Sequence, residues 1–372
     1  MPGVRITGIG SYVPDGAVVN AVLSEQMNKV LRGLADEGRI DPAALRGLEC
    51  DPNWIVERTG IKERRIAAPE QATSDLAVMA IRQCLTRSRY WPMDGSALVV
   101  GTVMGDEPIT PSTAARVQHG LSLPVRHPDG RLVDRMTCDT SSACTSFGAA
   151  LFLMESLIRS GNRSGGVAVG ADVGSRLANQ RVRGIAPILA DAGFAMSLEA
   201  TKDPALDCFL PDGRSFFFGC DGGFAEEIIC RAGGTRKPTT AEMRADPLNQ
   251  DPYIFMNGNS VFRKIIRLVR DEVIGQALAK AGLTLADIGL FVLHQANLRM
   301  IEPITQALEI GEDRTFNNIQ TRGNTISASV GLCLDDAQQQ GVLKPGMTVM
   351  LIVFGGGFTW GTIILKWPEL RA

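Results

Sequence analysis

The chain has 372 residues, of which 45% are apolar and 21% are charged, a composition typical of a globular protein long enough for two core-bearing halves. Its formal net charge of −2 gives no electrostatic reason to expect nucleic acid or an anionic membrane as a partner. Glycines and a proline within residues 1–16 interrupt the apolar core that a signal peptide needs. The sequence contains no run of about 18 uncharged apolar residues, the length needed to span a bilayer. We therefore expect neither export nor membrane insertion.

Strands and helices alternate along the first part of the chain. The predicted elements are a strand at 4–10, a helix at 24–38, a helix at 74–85, a strand at 97–103, a surface loop at 121–134, a helix at 147–158 and a buried strand at 165–173. Residues 181–196 carry glycines and are interpreted as a segment with a turn at Asp191. This part of the chain is expected to end near residue 204.

The same alternation resumes in the second part. The predicted elements are strands at 215–218 and 226–231, a surface loop at 233–252, an amphipathic helix at 261–281, a strand at 289–293, a helix at 299–310 and closing strands at 349–354 and 362–366. Asn259 or Ser260 is expected to cap the amphipathic helix. These patterns predict an α/β protein built from two related halves, 1–204 and 205–372, with helices around and between two sheets.

Cysteine and histidine usage narrows the possible chemistry. The eight cysteines are too sparse for a disulfide scaffold, and no C-x-x-C pair suggests a zinc site or a redox couple. We therefore expect a reduced, cytoplasmic setting and no metal cofactor. Only three histidines are present, so a reaction that needs an imidazole must use His119, His127 or His294.

Cys144 lies where a turn rich in small residues passes into the apolar helix predicted at 147–158. A helix N-terminus carries a partial positive charge and unpaired N–H groups, which favour a thiolate. A thiolate is the form that attacks acyl groups. The alternative is an inert buried cysteine, because free cysteine is among the most buried residue types.

Three features of the second part complement this cysteine. His294 follows a predicted buried strand, Asn324 stands at another predicted helix entrance, and three glycines at 355–357 end a closing strand. Alone, these features would fit a structural histidine, a helix N-cap and a tight hairpin. Together with Cys144 they suit thioester chemistry, in which backbone N–H groups hold an oxyanion and neutral His and Asn donors steady an enolate. Such a set favours Claisen condensation with a malonyl thioester that loses carbon dioxide.

Six motifs follow one another along the chain: WIVERTGIKERR at 54–65, SACTSF at 142–147, MNGNSVF at 256–262, HQANLRM at 294–300, GNT at 323–325 and FGGGFTWG at 354–361. In this order they resemble the β-ketoacyl-[acyl carrier protein] synthase III family of the thiolase superfamily. The resemblance implies a five-layered αβαβα homodimer with a catalytic triad of Cys144, His294 and Asn324. It also implies an oxyanion hole from the N–H groups of Cys144 and Gly356, and no cofactor besides coenzyme A or phosphopantetheine thioesters as substrates.

The resemblance also implies a set of substrate-binding residues. These are Trp54, Arg58 and Thr59 for the nucleotide end of coenzyme A, Arg183 opposite Trp54, Gly258, Asn259 and Asn297 for the pantetheine arm, and Phe262 as a tunnel wall. Arg299 would help to dock an acidic acyl carrier protein, the alternative being an exposed helix arginine.

Three departures from the family pattern indicate a changed substrate. Residues 189–195 are bulkier than the glycine-rich turn usual there, and the loop at 121–134 is longer than in the housekeeping enzymes. Thr110 stands where a bulky residue of the dimer partner often closes the primer pocket. We therefore expect a relative from specialised, polyketide-type metabolism that handles longer or branched acyl groups.

Three functions fit the sequence. The first is a decarboxylating ketosynthase that loads an acyl group from acyl-coenzyme A or acyl carrier protein onto Cys144 and extends it with a malonyl-type thioester. The second is acyl transfer without decarboxylation, or condensation of two carrier-bound β-ketoacyl chains, with Glu107 as a possible base or simply a solvated carboxylate. The third is a non-catalytic partner subunit, which the presence of all three catalytic residue types disfavours.

Overall fold

The computed structural model describes residues 1–88 and 93–370. Its strands are β1 Gly3–Tyr12, β2 Gly16–Val19, β3 Glu63–Ile66, β4 Ser96–Gly101, β5 Arg135–Thr140, β6 Gly165–Val173, β7 Asp191–Thr201, β8 Phe216–Cys220, β9 Ile228–Cys230, β10 Ile254–Met256, β11 Leu290–Leu293, β12 Thr348–Gly355 and β13 Thr359–Lys366. Its α-helices are α1 Asn20–Asp36, α2 Leu45–Leu48, α3 Pro52–Thr59, α4 Thr73–Ser88, α5 Thr113–Gly120, α6 Ser146–Arg159, α7 Ala241–Ala245, α8 Gly258–Leu268, α9 Ile274–Ala281, α10 Leu298–Ala307, α11 Ile319–Arg322 and α12 Ser329–Gln339.

Two mixed sheets repeat one strand order. The first runs β1-β7-β6-β4-β5, and the second runs β8-β13-β12-β11 when read from the corresponding edge. In both, the first two pairings are antiparallel and the next is parallel. Phe291 of β11 also makes a parallel bridge to Thr315, at the edge where β5 lies in the first sheet. On this repeat we propose that the chain consists of two related halves, 1–204 and 205–372.

The largest part of the core lies between the two sheets. Helices α6 and α12 contact strands of both sheets and form a central layer. Their side chains share one buried cluster with strands of both sheets, with Phe147 and Leu151 from α6 and Leu332 and Leu334 from α12. Helices α4 and α5 cover the outer face of the first sheet, and α8, α9 and α10 cover that of the second. The layers therefore run α, β, α, β, α, as the sequence predicted.

The predicted turn at Asp191 is wrong, because Asp191 begins β7, a long interior strand. This strand is buried on both faces, so it lacks the alternation that marks a half-exposed strand. Its small residues reflect close packing: a Cβ on Gly193 would lie 2.5 Å from the carbonyl oxygen of Leu76 in α4. The close packing of α4 against β7 thus explains why the segment predicted to be a turn is rich in small residues.

The helix predicted at 261–281 begins earlier and is interrupted. Helix α8 starts at Gly258, its N-cap is Asn257, and neither Asn259 nor Ser260 caps it. A five-residue π-helical turn, Val269–Val273, separates α8 from α9. Apolar residues recur every four positions from 261 to 273, which exceeds the period of 3.6, and the wider i→i+5 turn keeps this stripe facing the sheet.

Within the described ranges, no helix combines the length and apolar character needed to cross a membrane.

Candidate active site

One cavity of about 740 Å³ brings residues from both parts of the chain together. Its lining includes Cys144, His294, Asn324 and Gly356, the four residues predicted to be catalytic. It also includes the predicted binding residues Trp54, Arg58, Thr59, Arg183, Gly258, Asn259, Phe262, Asn297 and Arg299. The structure therefore brings all the predicted site residues to one cavity.

The turn between β5 and α6 fixes the backbone around Cys144. Ala143 has a φ of 52°, a left-handed conformation that is uncommon outside glycine. The Ser146 hydroxyl donates to the Ala143 carbonyl at 2.6 Å and accepts from the Ser142 N–H at 2.9 Å. Because this turn is locked from both sides, Cys144 is held directly before the first turn of α6, where the sequence predicted it.

The glycine turn after β12 approaches the backbone of Cys144. A Cβ on Gly355 would lie 2.7 Å from the Cys144 nitrogen and 3.0 Å from the Cys144 Cβ, distances that no larger residue tolerates. Gly357, with a φ of 74°, then turns the chain into β13. The segment 355–356 and the Cys144 N–H are thus neighbours, as an oxyanion hole from Cys144 and Gly356 requires.

His294 is held by contacts on three sides. The backbone N–H of His294 donates to the Ile352 carbonyl of β12 at 2.7 Å. The imidazole ring contacts the Phe354 ring edge-on, with 5.3 Å between the ring centroids. Nδ1 lies 2.5 Å from the hydroxyl of Ser329, the first residue of α12. The other ring nitrogen, Nε2, is left for chemistry in the cavity. A hydroxyl can donate or accept, so Nε2 can act as proton acceptor or donor.

Asn324 is anchored through its backbone and through one side-chain atom. Its N–H donates to the Ile188 carbonyl at 2.9 Å, and its carbonyl accepts from the Ala190 N–H at 2.9 Å. The side-chain Oδ1 accepts from the Ile326 N–H at 2.9 Å, which leaves the Nδ2 hydrogens as donors. The N-cap of α12 is Ala328, which follows a short 3₁₀ turn. The alternative that Asn324 is the N-cap of this helix is therefore wrong.

The family assignment follows from comparison with known proteins. The family model described as 3-oxoacyl-[acyl-carrier-protein] synthase III matches residues 138–210, and its C-terminal counterpart matches residues 278–367. The chain is 33% identical to β-ketoacyl-[acyl-carrier-protein] synthase III of Rhodopirellula baltica over 99% of both chains. The chain belongs to the β-ketoacyl-[acyl-carrier-protein] synthase III family. It is therefore an acyltransferase of the ketosynthase type, an enzyme that condenses acyl groups.

Solved structures agree with this membership in the synthase III family. The 3-oxoacyl-[acyl-carrier-protein] synthase III of Pseudomonas aeruginosa superposes with a TM-score of 0.80 at 27% identity, covering all of both chains. The priming β-ketosynthase of the R1128 polyketide pathway superposes with a TM-score of 0.78 at 25% identity, covering 99% of this chain and 97% of that one. The predicted thiolase-like fold is confirmed.

The electrostatics of this synthase III site differ in one respect from the prediction. Burial, and then the carboxylate of Asp172, raise the pKa of the Cys144 thiol to about 12, instead of lowering it as a helix N-terminus would. Burial also lowers the pKa of His294 to about 3. In the resting state a neutral thiol and a neutral imidazole therefore line the same cavity. The loss of solvation of the partly buried thiol and of the fully buried imidazole outweighs the partial charge of the helix end.

The mouth of the cavity is braced where α10 meets the end of α3. Arg299 donates through Nε to the Glu57 carbonyl at 3.0 Å, and Asn297 donates through Nδ2 to the Arg58 carbonyl at 3.0 Å. These carbonyls would otherwise lack partners at a helix C-terminus, and a cation is favourable there. Arg299 and Asn297 thus already have structural partners in the protein alone.

Two other predicted contacts also have partners. The Thr59 hydroxyl donates to the Ile55 carbonyl at 2.6 Å and accepts from the Ile61 N–H, so it supports the end of α3. The Arg183 guanidinium lies 5.2 Å from the centroid of the Trp54 ring. Because these two side chains contact each other directly as a cation–π pair, a nucleotide base can enter between them only when they separate.

The sequence reasoning missed Asp172, Ser327 and Ser329. Ser329 contacts His294, and Asp172 binds Ser327 and acts electrostatically on Cys144. One signal for Asp172 was available, because it is the single charged residue in the otherwise apolar strand β6. Glu107, considered earlier as a base, pairs with Arg116.

Proposed function

We propose that this synthase III family member loads an acyl group onto Cys144 and then extends it by decarboxylative condensation with a malonyl-type thioester. The observation that carries the proposal is that Cys144, His294 and Asn324 line one cavity in which all three are uncharged. Uncharged donors and acceptors suit a chemistry whose negative charge appears only in transit, because a permanent charge there would have to be desolvated.

In the loading step, the Cys144 sulfur attacks the thioester carbon of acyl-coenzyme A or acyl carrier protein. His294 Nε2 takes the thiol proton as the sulfur–carbon bond forms, which offsets the high pKa of the thiol. The N–H groups of Cys144 and Gly356 hold the oxyanion. The tetrahedral species collapses, the carrier thiolate leaves with a proton from the imidazolium, and the acyl group stays on Cys144.

In the condensation step, the malonyl-type thioester occupies the space that the first carrier has left. The imidazole is now in its Nε2–H tautomer, in which Nδ1 accepts from the Ser329 hydroxyl. The malonyl carbonyl accepts from His294 Nε2–H and from the Nδ2 hydrogens of Asn324, so the enolate formed on loss of carbon dioxide is stabilised. The carbanion carbon attacks the thioester of Cys144, a carbon–carbon bond forms, and the bond to the sulfur breaks. The thiolate takes up a proton from solvent, so this step consumes one proton, and a β-ketoacyl thioester leaves.

The surface beside the cavity mouth supports delivery by an acyl carrier protein. Arg263 and Arg267 are exposed one turn apart on α8, next to Phe262 in the cavity lining. Their neighbours Lys264 and Arg270 pair with acids of this chain, whereas no ion pair among the described residues includes Arg263 or Arg267. Two unpaired cations suit an acidic partner. We assign Arg263 and Arg267 to carrier docking. Arg299, which pairs with Glu302 and with the Glu57 carbonyl, contributes its charge at the cavity mouth.

The walls of the cavity support an aliphatic acyl group. The nucleophile packs in an apolar cluster whose other cavity-lining members are Trp54, Val103, Leu177, Ile185, Leu189, Ile254, Met256 and Ile326. Apart from the Trp54 indole, these side chains offer no hydrogen bonds to a polar chain. The likeness to a polyketide priming synthase favours a role in starting a specialised-metabolism chain, with condensation of two β-ketoacyl chains as the second candidate.

We further propose that the enzyme acts as a homodimer in the cytoplasm. Strand β5 is an edge strand of the first sheet, and its unpaired backbone groups can hydrogen-bond to a strand of a second copy of the chain. Ile109, Val125 and Leu132, in the loops on either side of α5, are exposed by 90%, 64% and 59%. All eight cysteines are free thiols, which suits a reducing compartment. Light scattering on the purified protein tests the dimer, and a monomer would contradict it.

The test of the proposed function measures carbon dioxide release and product mass with acyl and malonyl thioesters. Replacing Cys144 by alanine is expected to abolish both, whereas Cys220→Ala, at an exposed cysteine that does not line the cavity, is expected to leave them unchanged. Condensation that survives Cys144→Ala would contradict the proposal. Product from two β-ketoacyl thioesters without carbon dioxide release would instead favour the second candidate.

A further inference from the structure

A buried carboxylate next to the proposed site has no role in the steps above. Asp172 is the second-last residue of β6 and is 0% exposed. A carboxylate without access to water is costly unless it is well supplied with donors. Its contacts therefore indicate what it does for the surrounding backbone.

One carboxylate oxygen of Asp172 holds the loop that follows β4. Oδ1 accepts from the Thr102 hydroxyl at 2.8 Å, from the Val103 N–H at 2.7 Å and from the Met104 N–H at 3.3 Å. The Val103 side chain lines the cavity and packs in the same apolar cluster as Cys144. This oxygen therefore fixes one wall of the nucleophile's surroundings.

The other oxygen holds the segment that follows Asn324. Oδ2 accepts from the Ser327 N–H at 3.1 Å and from the Ser327 hydroxyl. Ser327 lies in the 3₁₀ turn whose first N–H, that of Ile326, binds the Asn324 side chain. A single carboxylate thus joins a loop of the first part of the chain to the segment that carries Asn324.

We propose that Asp172 is a positioning residue that locks the Asn324 segment against the wall beside Cys144, and that its negative charge makes the sulfur less reactive. The proposal rests on the function proposed above for Cys144 and Asn324. The carboxamide thereby stays aligned for the condensation step. The charge of Asp172 also slows attack on the sulfur by oxidants and alkylating agents, because it lowers the small thiolate fraction about tenfold.

The charges around the sulfur are consistent with this role. Asp172 is the charged group that disfavours the Cys144 thiolate, and His294 is neutral. The charged residues elsewhere in the cavity lining, Glu57, Arg58, Arg183 and Arg299, do not contribute to the shift of the Cys144 pKa. Asp139, on β5, the strand that leads into the Cys144 turn, directs its carboxylate at the Thr113 and Ala114 N–H groups at the start of α5. Burial raises the pKa of Asp172 itself to about 6, against the opposing effect of its donors, so the carboxylate is ionised at neutral pH.

The test measures the rate at which iodoacetamide alkylates Cys144, followed by peptide mass spectrometry from pH 5 to 10. Asp172→Asn is expected to move the profile about one unit toward lower pH, roughly tenfold faster alkylation at pH 8, because a nearby negative charge is removed. The matched control Asp139→Asn also removes a carboxylate but is expected to leave the profile in place. An unchanged profile in Asp172→Asn would overturn the electrostatic part of the proposal.

A second readout uses the wild-type protein and so does not depend on how the variant folds. The logarithm of the alkylation rate should rise less steeply near pH 6, where Asp172 ionises, than on either side. A straight profile through pH 6 would contradict the proposal.

The positioning part is tested by steady-state kinetics with acyl and malonyl thioesters. Ser327→Ala, which keeps the carboxylate, is expected to lower kcat for condensation while the alkylation profile stays near that of the wild type. Unchanged kcat in both Ser327→Ala and Asp172→Asn would overturn it. Condensation that survives Cys144→Ala would instead refute the proposed function, whatever these variants show, so the two failures are distinguishable.

Discussion

Replacing His294 by glutamine should change how the stability of the protein depends on pH. The imidazole has a pKa of about 3 in the folded chain and 6.5 as its ordinary value. A lowered folded pKa means that its stabilising contribution is complete above pH 6.5 and is lost as the pH falls toward 3. Between pH 8 and pH 4.5 the unfolding free energy falls by about 3 kcal/mol on account of this group. At pH 4.5 the imidazole is protonated in the unfolded chain but stays neutral in the folded chain.

Asp172 works in the opposite direction at the same site. Its folded pKa is raised from 3.8 to about 6, so its stabilising contribution is present below pH 3.8 and is lost as the pH rises through 6. Acidification from pH 8 to 4.5 therefore restores about 2 kcal/mol. In the wild type these two effects largely cancel, whereas in His294→Gln only the effect of Asp172 remains.

The assay is urea unfolding followed by circular dichroism at pH 8 and pH 4.5, at one protein concentration. The difference in unfolding free energy between wild type and His294→Gln should shift by about 3 kcal/mol in favour of the variant on acidification, because the other titrating groups cancel. Ser329→Ala, which keeps the imidazole buried, should show the wild-type dependence. A difference that is the same at both pH values would refute a neutral, water-excluded His294.

Three further predictions concern the site and its mouth. Gly355→Ala should lower kcat more than a hundredfold and the unfolding free energy by about 1–3 kcal/mol, because its Cβ would collide with the Cys144 nitrogen. The control Gly275→Ala, in open space on α9, should lower neither quantity. Steady-state kinetics and urea unfolding measure the two effects. Ser329→Ala should lower kcat about tenfold with little change in KM, because His294 loses the partner that orients it. Charge reversal at Arg263 and Arg267 should raise KM about tenfold for a carrier-bound donor but not for the same acyl group on coenzyme A; equal effects on both donors would argue against docking at α8.

The sequence was most informative where chemistry restricts the choice of residue. Cys144 at a helix entrance, His294 at a strand end and glycines that approach a backbone were each interpreted correctly in place, because few residue types satisfy those geometries. The six motifs also indicated the fold, since their order spans nearly the whole chain. Residues with obligatory local roles thus predicted which side chains the fold brings to one cavity.

Features set by long-range packing were not predictable in the same way. The sequence predicted a turn at Asp191 where the structure has strand β7. The small residues of β7 allow close packing against α4, which is distant in sequence. The thiol of Cys144 was expected to ionise easily, but burial and Asp172 act from other parts of the fold. The partners of Asp172 lie about 70 and 155 positions away, so no local pattern could have revealed the link to Asn324.

The central claim, that Cys144 carries the acyl group, is tested most directly by intact-protein mass spectrometry during a single turnover. After incubation with an acyl thioester, the wild-type protein should gain the mass of one acyl group, located on Cys144, and should lose it when a malonyl thioester is added. Cys144→Ala should gain no mass. An acyl group on another residue, or an adduct on Cys144 that persists while product accumulates, would contradict the account.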